Sequence, residues 1–233
     1  MNTSELKQRM EHVQRRINQA CERSKRDPAN IQLIGVTKYV SADRAAEAAA
    51  FGLKHLGENR WPDAKEKTDV ISEDVRWHYI GQLQTRKVRQ VVHAFHYIHS
   101  LDRMSLSEEL NKRMAGLDRT MPCFVQVNIS GERSKAGLEP EAVPEFIRSM
   151  NEFEHLEIIG LMTMAPFESK PEETRPVFRG LRELRDELNQ KNAYRQPIAD
   201  LSMGMSNDFE IAVEEGATWL RLGSVLIGQA SEE

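Results

Sequence analysis

Between Ser4 and Arg23, Leu6, Met10, Val13, Ile17 and Ala20 recur at three- and four-residue steps among charged residues, which is the spacing of one apolar helix face. The pattern breaks near Asp27-Pro28. Ile31 to Val36 follows as a short apolar, β-branched run of strand length, and after it Ser41-Ala42-Asp43 opens an alanine-rich helical stretch from Arg44 to Phe51. The alternation then continues. Strand-like runs fall at Lys54 to Gly57, Trp77 to Ile80, Tyr97 to Ser100, Cys123 to Ile129, Leu156 to Met162, Leu201 to Met203 and Trp219 to Leu222, making eight with the first. Helical patterns between them cover Arg60 to Lys67, Thr85 to His93, Ser105 to Met114, Glu141 to Asn151, Pro171 to Gln190 and Asp208 to Glu215.

Strands that alternate with helices predict parallel βαβ units, and eight such units close most economically into a (β/α)8 TIM barrel, here with an extra N-terminal helix. The competing arrangement is an open doubly wound sheet. That fold usually carries a glycine-rich nucleotide loop after its first strand, and Thr37-Lys38-Tyr39-Val40 is not one. No linker, low-complexity segment or repeat interrupts the chain, so residues 1–233 are expected to form one domain.

Composition narrows the partners. Lys+Arg 32 against Asp+Glu 36 leaves a formal charge of −4, with no global drive toward nucleic acid or an anionic membrane. A chain with 39% hydrophobic and 29% charged residues reads as soluble and globular, and at this length it can bury roughly 70% of its unfolded surface. Cys21 and Cys123 lie far apart without metal-ligand spacing, so neither a disulfide framework nor a zinc site is indicated. No apolar stretch approaches the ~20 residues of a membrane helix, and Met1 to Met10 lacks the apolar core of a secretory signal. These features point to the cytoplasm.

The active face of a (β/α)8 barrel lies at the carboxyl ends of its strands. Read in order, those ends carry Lys38, Glu58-Asn59, Gly81-Gln82, Asp102-Arg103, Asn128 and Ser130, Thr163, Ser202 to Asn207, and Gly223-Ser224. A lysine leaving an apolar strand into a barrel mouth is partly desolvated, which lowers an ammonium pKa and frees an amine for imine formation. The plainer alternative is a lysine that snorkels to solvent. Leu201 to Asp208 ends strand seven and opens a helix, offering backbone N–H groups, the Ser206 hydroxyl and a positive helix terminus. Arg221-Leu222-Gly223-Ser224 ends strand eight before a short apolar turn. Each alone is an ordinary turn; together, after strands seven and eight, they match the recurrent phosphate cup of these barrels. An imine-forming lysine and a phosphate cup on one face suggest pyridoxal 5′-phosphate (PLP), which has both handles.

Seven motifs in order, Val36-Thr37-Lys38, His55-Leu56-Gly57-Glu58-Asn59, Trp77 to Gln84, Gln126-Val127-Asn128-Ile129-Ser130, Gly160-Leu161-Met162, Leu201 to Asp208 and Arg221-Leu222-Gly223-Ser224, closely resemble the pyridoxal phosphate homeostasis protein family. The match runs from about Ile31 to Gly228; at Gln84-Thr85-Arg86-Lys87 an Asn is commoner than Arg before the lysine. The resemblance implies a barrel like the N-terminal domain of alanine racemase. It implies a Lys38 aldimine with PLP, phosphate contacts from Ser206, Gly223 and Ser224, and Arg221 facing the pyridine nitrogen. Asn59, His78 and Met203 would line the ring pocket.

An arginine there disfavours protonation of the ring and leaves it a poor electron sink. In the resembled racemase a second acid/base comes from a tyrosine on a β-rich domain of the partner subunit, and this chain ends at Glu233 without such a domain. The expected role is therefore a non-catalytic PLP carrier, a monomer that releases PLP to apoenzymes or metabolism. A PLP-dependent racemase-like enzyme using Lys38 with His78 or Tyr39 is the rival reading, and a cofactor-free Schiff-base aldolase a third.

Other features read blandly. His93, His96 and His99 straddle a helix end and a strand, so they are expected to diverge as surface or edge residues rather than hold a metal. Arg86, Lys87 and Arg89 form a solvated helix face, Lys135 a flexible loop lysine, and Met162, Met164, Met203 and Met205 packing.

Overall fold

The computed structural model describes residues 3–71, 74–132, 134–166 and 169–228, with the side chains of Thr3 and Ser4 excepted; Arg133 of the loop after strand five and the last five residues lie outside them. Eight strands form one closed parallel barrel in chain order: β1 Gln32–Val36, β2 His55–Glu58, β3 Arg76–Tyr79, β4 Tyr97–Leu101, β5 Met121–Gln126, β6 Leu156–Met162, β7 Asp200–Ser202 and β8 Trp219–Leu222. The closing seam pairs β1 with β8, Ile34 opposite Arg221 and Gly35 opposite Leu222. The helices are α1 Thr3–Ser24, α2 Ala42–Ala50, α3 Trp61–Val70, α4 Val88–Val91, α5 Met104–Ala115, α6 Val143–Ser149, α7 Arg175–Gln190 and α8 Phe209–Glu214.

Helix placement follows the sequence periodicity. In α1 Leu6, Val13, Ile17, Ala20 and Cys21 are buried while the polar face stays outside. Arg16 stacks over Phe209 and pairs with Glu210 at 2.7 Å, so α1 seats on α8. Ser41 caps α2 by accepting from the Arg44 N–H at 3.2 Å. In α7 Phe178, Leu181, Leu184 and Leu188 recur on one buried face. Most of the core lies between this helical ring and the barrel wall, and a smaller apolar cluster of Ile34, Phe124, Met162 and Trp219 packs separately.

The helices expected over Glu141 to Asn151 and Pro171 to Gln190 begin as 3-10 turns, the first also ending as one, and two further elements differ more in form. The strand expected to reach Ile129 ends at Gln126, because Asn128 N–H donates to the Leu138 carbonyl and Leu138 N–H to that of Gln126. The chain after β5 thus pairs with its own returning loop. The helix expected over Thr85 to His93 is a 3-10 turn, Thr85–Lys87, followed by the single turn of α4.

Candidate functional site

At the mouth of the barrel Lys38 lies two residues beyond the end of β1, half-buried, with its ammonium 4.7 Å from the centre of the Tyr39 ring. Tyr39 is itself 71% exposed. Among the described residues no carboxylate pairs with Lys38. The turn is held from below. Lys67, on the buried face of α3, donates to the Thr37 carbonyl at 2.6 Å and to Glu58 Oε1 at 2.7 Å, and Thr37 Oγ1 donates to the same carboxylate oxygen at 2.6 Å. Glu58 is fully buried, and its Oε2 has no hydrogen-bond partner among the described residues. A buried ion pair of this kind contributes little net stability but fixes geometry, since either charge left alone is costly.

The β1–β8 seam brings the next feature beside Lys38. A Cβ placed on Gly223 would lie 3.7 Å from Val36 Cβ, ordinary contact, so the end of β8 runs alongside the end of β1. The Gly223 carbonyl accepts from Leu226 and Ile227, closing a tight turn, and the Ser224 carbonyl accepts from Arg9 at 3.0 Å. From the β7 side, Ser206 Oγ accepts from the Val225 N–H at 3.4 Å, which joins the two loops. Gly204 makes this crossing possible. Its φ is +93°, and a Cβ there would stand 2.7 Å from Ala212 Cβ. Asp208 is buried and accepts from the Met205 N–H at 2.6 Å; burial raises its pKa, partly offset by that hydrogen bond and by Arg221.

Arg221 lies below the cup with 4% of its surface exposed. It donates to Ser202 Oγ at 2.6 Å and to the Thr163 carbonyl at 2.9 Å, both neutral acceptors. Burial pulls its pKa down to about 10, against the opposing effect of Asp208, so it remains a cation at neutral pH. From Ser202 a file of side chains descends through the barrel. His99 Nδ1 is 2.9 Å from Ser202 Oγ, His99 Nε2 is 2.9 Å from His78 Nδ1, and His78 Nε2 is 2.9 Å from His55 Nδ1. His78 stacks on Tyr97 and His99 on Phe124, while His55 sets its edge against Trp219. Desolvation holds His78 and His99 well below the usual imidazole range, with neighbouring cations and rings acting in the same sense.

A model of the alanine racemase N-terminal domain family matches residues 8–231. The chain is 41% identical over 223 residues to the pyridoxal phosphate homeostasis protein of Aquifex aeolicus, covering 95% of this chain and 97% of that one. To the Pseudomonas aeruginosa protein of the same name it is 36% identical over 227 residues, covering 97% and 96%. This chain belongs to the pyridoxal phosphate homeostasis protein family. Among solved structures, PipY of Synechococcus elongatus with PLP bound superposes with a TM-score of 0.80 at 35% identity, over 91% of this chain and all of that one. Alanine racemase of Clostridium difficile matches with a TM-score of 0.72 at 15% identity, over 98% of this chain and 56% of that one, a likeness of fold alone.

Set against this member of the pyridoxal phosphate homeostasis family, the residues singled out from sequence divide into two groups. Lys38, Asn59, Ser206, Gly223 and Ser224 all lie at strand ends on one barrel face and keep exposed or half-exposed surface. Asn59 is backed by Gly81, where a Cβ would fall 2.5 Å from the Asn59 carbonyl oxygen. His78 and Met203 are fully buried instead. His78 is occupied on both nitrogens by His55 and His99, and Met203 packs in the core between wall and helices. Of the three histidines expected at the surface or an edge, His93 is exposed and His96 half-buried, but His99 has no exposed surface, because on β4 its ring points into the barrel between His78 and Ser202. Lys135 is not a free loop lysine; Glu132 pairs with it at 2.9 Å, and the Ser130 hydroxyl and Met164 carbonyl each accept from it at 3.3 Å. Sequence reasoning passed over Lys67 and the His55–His78–His99 file. Lys67 had a signal, falling three residues after buried Ala64 in the inward phase of its helix.

Proposed function

We propose that this protein binds pyridoxal 5′-phosphate at the barrel mouth and serves its homeostasis as a carrier without catalytic turnover. Bound there, PLP supplies an aldehyde that a lysine amine can hold as a reversible imine. Lys38 is the amine assigned to it, without a carboxylate partner among the described residues and set on a turn that Lys67 and Glu58 keep in place. Ser206, Gly223 and Ser224 receive the phosphate, with a loop crossing that Gly204 permits. Asn59 borders the ring. The protein acts as a monomer in the cytoplasm and gives the cofactor up to apoenzymes.

The observation that carries this reading is Arg221. A buried guanidinium whose described partners are two neutral oxygens fits an acceptor such as a pyridine nitrogen. Because it can only donate, it holds that nitrogen unprotonated, and the ring then withdraws electrons weakly. Carbanion chemistry is disfavoured while imine exchange is not.

The test is to load the protein with PLP and follow two fates in parallel. In deuterium oxide with excess L-alanine, the Cα proton should not exchange beyond one equivalent of protein, whereas an added apoenzyme should gain activity. Multiple-turnover exchange at Cα contradicts the carrier reading and supports a racemase-like enzyme.

A further inference from the structure

The file of rings beneath Arg221 has a direction that its end group dictates. A guanidinium has donors and no acceptor, so Ser202 Oγ accepts from Arg221 Nη1 at 2.6 Å. The one proton of that hydroxyl then has His99 Nδ1, 2.9 Å away, as its acceptor. The opposite assignment, with His99 Nδ1–H donating to Ser202, strands a buried hydroxyl proton without a partner. With Nδ1 bare, neutral His99 carries its proton on Nε2, which faces His78 Nδ1 at 2.9 Å. The same reasoning passes on: His78 Nδ1 is bare, and its Nε2–H donates to His55 Nδ1 at 2.9 Å. His55, half-buried at the amino-terminal end of β2, ends the file with its own proton on Nε2.

The surroundings keep all three rings neutral. His55 stands near Arg76 and Lys54, His78 near His96, and His99 near Arg221; Tyr97, stacked on His78, has Arg76, Asp200 and Glu157 about it. Burial and the nearest charges therefore disfavour a second proton on any member.

We propose that His99, His78 and His55 are positioning residues that act through Ser202, forming a one-way chain of three Nε2–H imidazoles that holds Ser202 as an acceptor and so fixes the Arg221 guanidinium. The tautomer chain stands on its own geometry. Its consequence for cofactor, that the ladder sets how firmly Arg221 meets a ring nitrogen, rests on the function proposed above.

Two measurements test it. In the full-length protein labelled with 15N-histidine and without added PLP, nitrogen NMR at pH 7 should show His99, His78 and His55 as neutral Nε2–H tautomers. Couplings across two N–H···N hydrogen bonds, His99 to His78 and His78 to His55, are expected with them. An Nδ1–H tautomer or an imidazolium at His78 or His99 overturns the proposal. The second measurement compares Ser202→Ala, Ser202→Thr and His99→Phe, which fills the ring volume without hydrogen bonding. Ser202→Ala and His99→Phe should retain PLP about tenfold less tightly and shift the pH profile of its bound absorbance band, with Ser202→Thr restoring both. Wild-type affinity and pH profile in the folded Ala and Phe variants overturn the link to Arg221. If the wild type takes up no PLP, the functional reading fails, and the NMR result still decides the tautomer chain.

Discussion

Lys67 brings a full charge to a position with 5% of its surface exposed, where its partners are one carboxylate oxygen and one carbonyl. Removing it leaves Glu58 buried without a counter-charge. Lys67→Met is therefore expected to cost about 3–5 kcal/mol of unfolding free energy, read as a lower urea midpoint. The double variant Lys67→Met/Glu58→Leu should recover most of it, since the pair itself is worth little against apolar packing. A loss below about 1 kcal/mol in the single variant would mean the pair is effectively solvated. At this scale the residues legible in the sequence were those whose position along a strand is enough to place them. Lys38, Ser206, Gly223 and Ser224 lie just past strand ends, and strand ends meet at the mouth whatever the detail of the barrel. Lys67 and the histidine file were not legible. Their partners are 9, 21, 23 and 103 residues away in sequence, and contact depends on how the strands stagger around the ring.

The loop that joins β7 to α8 does two tasks, ending a strand and carrying Ser206 toward the turn after β8. Both depend on the positive φ at Gly204. Gly204→Ala forces an L residue into that region and sets its methyl against Ala212, for an expected cost of about 1–3 kcal/mol in chemical denaturation. If this loop holds a phosphate, the same variant should weaken binding of PLP more than of pyridoxal, which lacks the phosphate, in parallel fluorescence titrations. Equal losses for the two ligands would place the phosphate elsewhere. Element positions were read closely from sequence because period and length agree: β6 and β8 fall on the expected residues, and the other strands shift by a residue or a few. The exceptions have local causes, the returning loop that shortens β5 and the tight 3-10 start that leaves α4 one turn long.

For the whole molecule, a barrel with imidazoles in its interior should be sensitive to acid. His78 and His99 have folded pKa values well below the usual value, and His96 is lowered to about 4 by burial and nearby Arg76 and Arg119. Below a pH of about 6.5 the unfolded chain takes up protons that the folded rings refuse, so stability falls as pH falls. From pH 7 to 5 the refusal of these protons by the two interior rings should appear as a drop in the urea midpoint with the slope unchanged. An equal midpoint at both values would show that these histidines are not held neutral. The fold class was legible from eight alternations of strand and helix; closure of the ring by β1 and β8, and the inward turn of His99, needed coordinates.

The proposed bond between Lys38 and PLP is open to direct chemical trapping. Purified protein and its Lys38→Ala variant are mixed with PLP, their absorbance is recorded before and after borohydride, and the reduced adduct is located by peptide mass spectrometry. The expected result is an imine band that borohydride abolishes in the wild type, a reduced adduct on Lys38, and neither in the variant. An undiminished band in Lys38→Ala, or an adduct on another lysine such as Lys135, would contradict it.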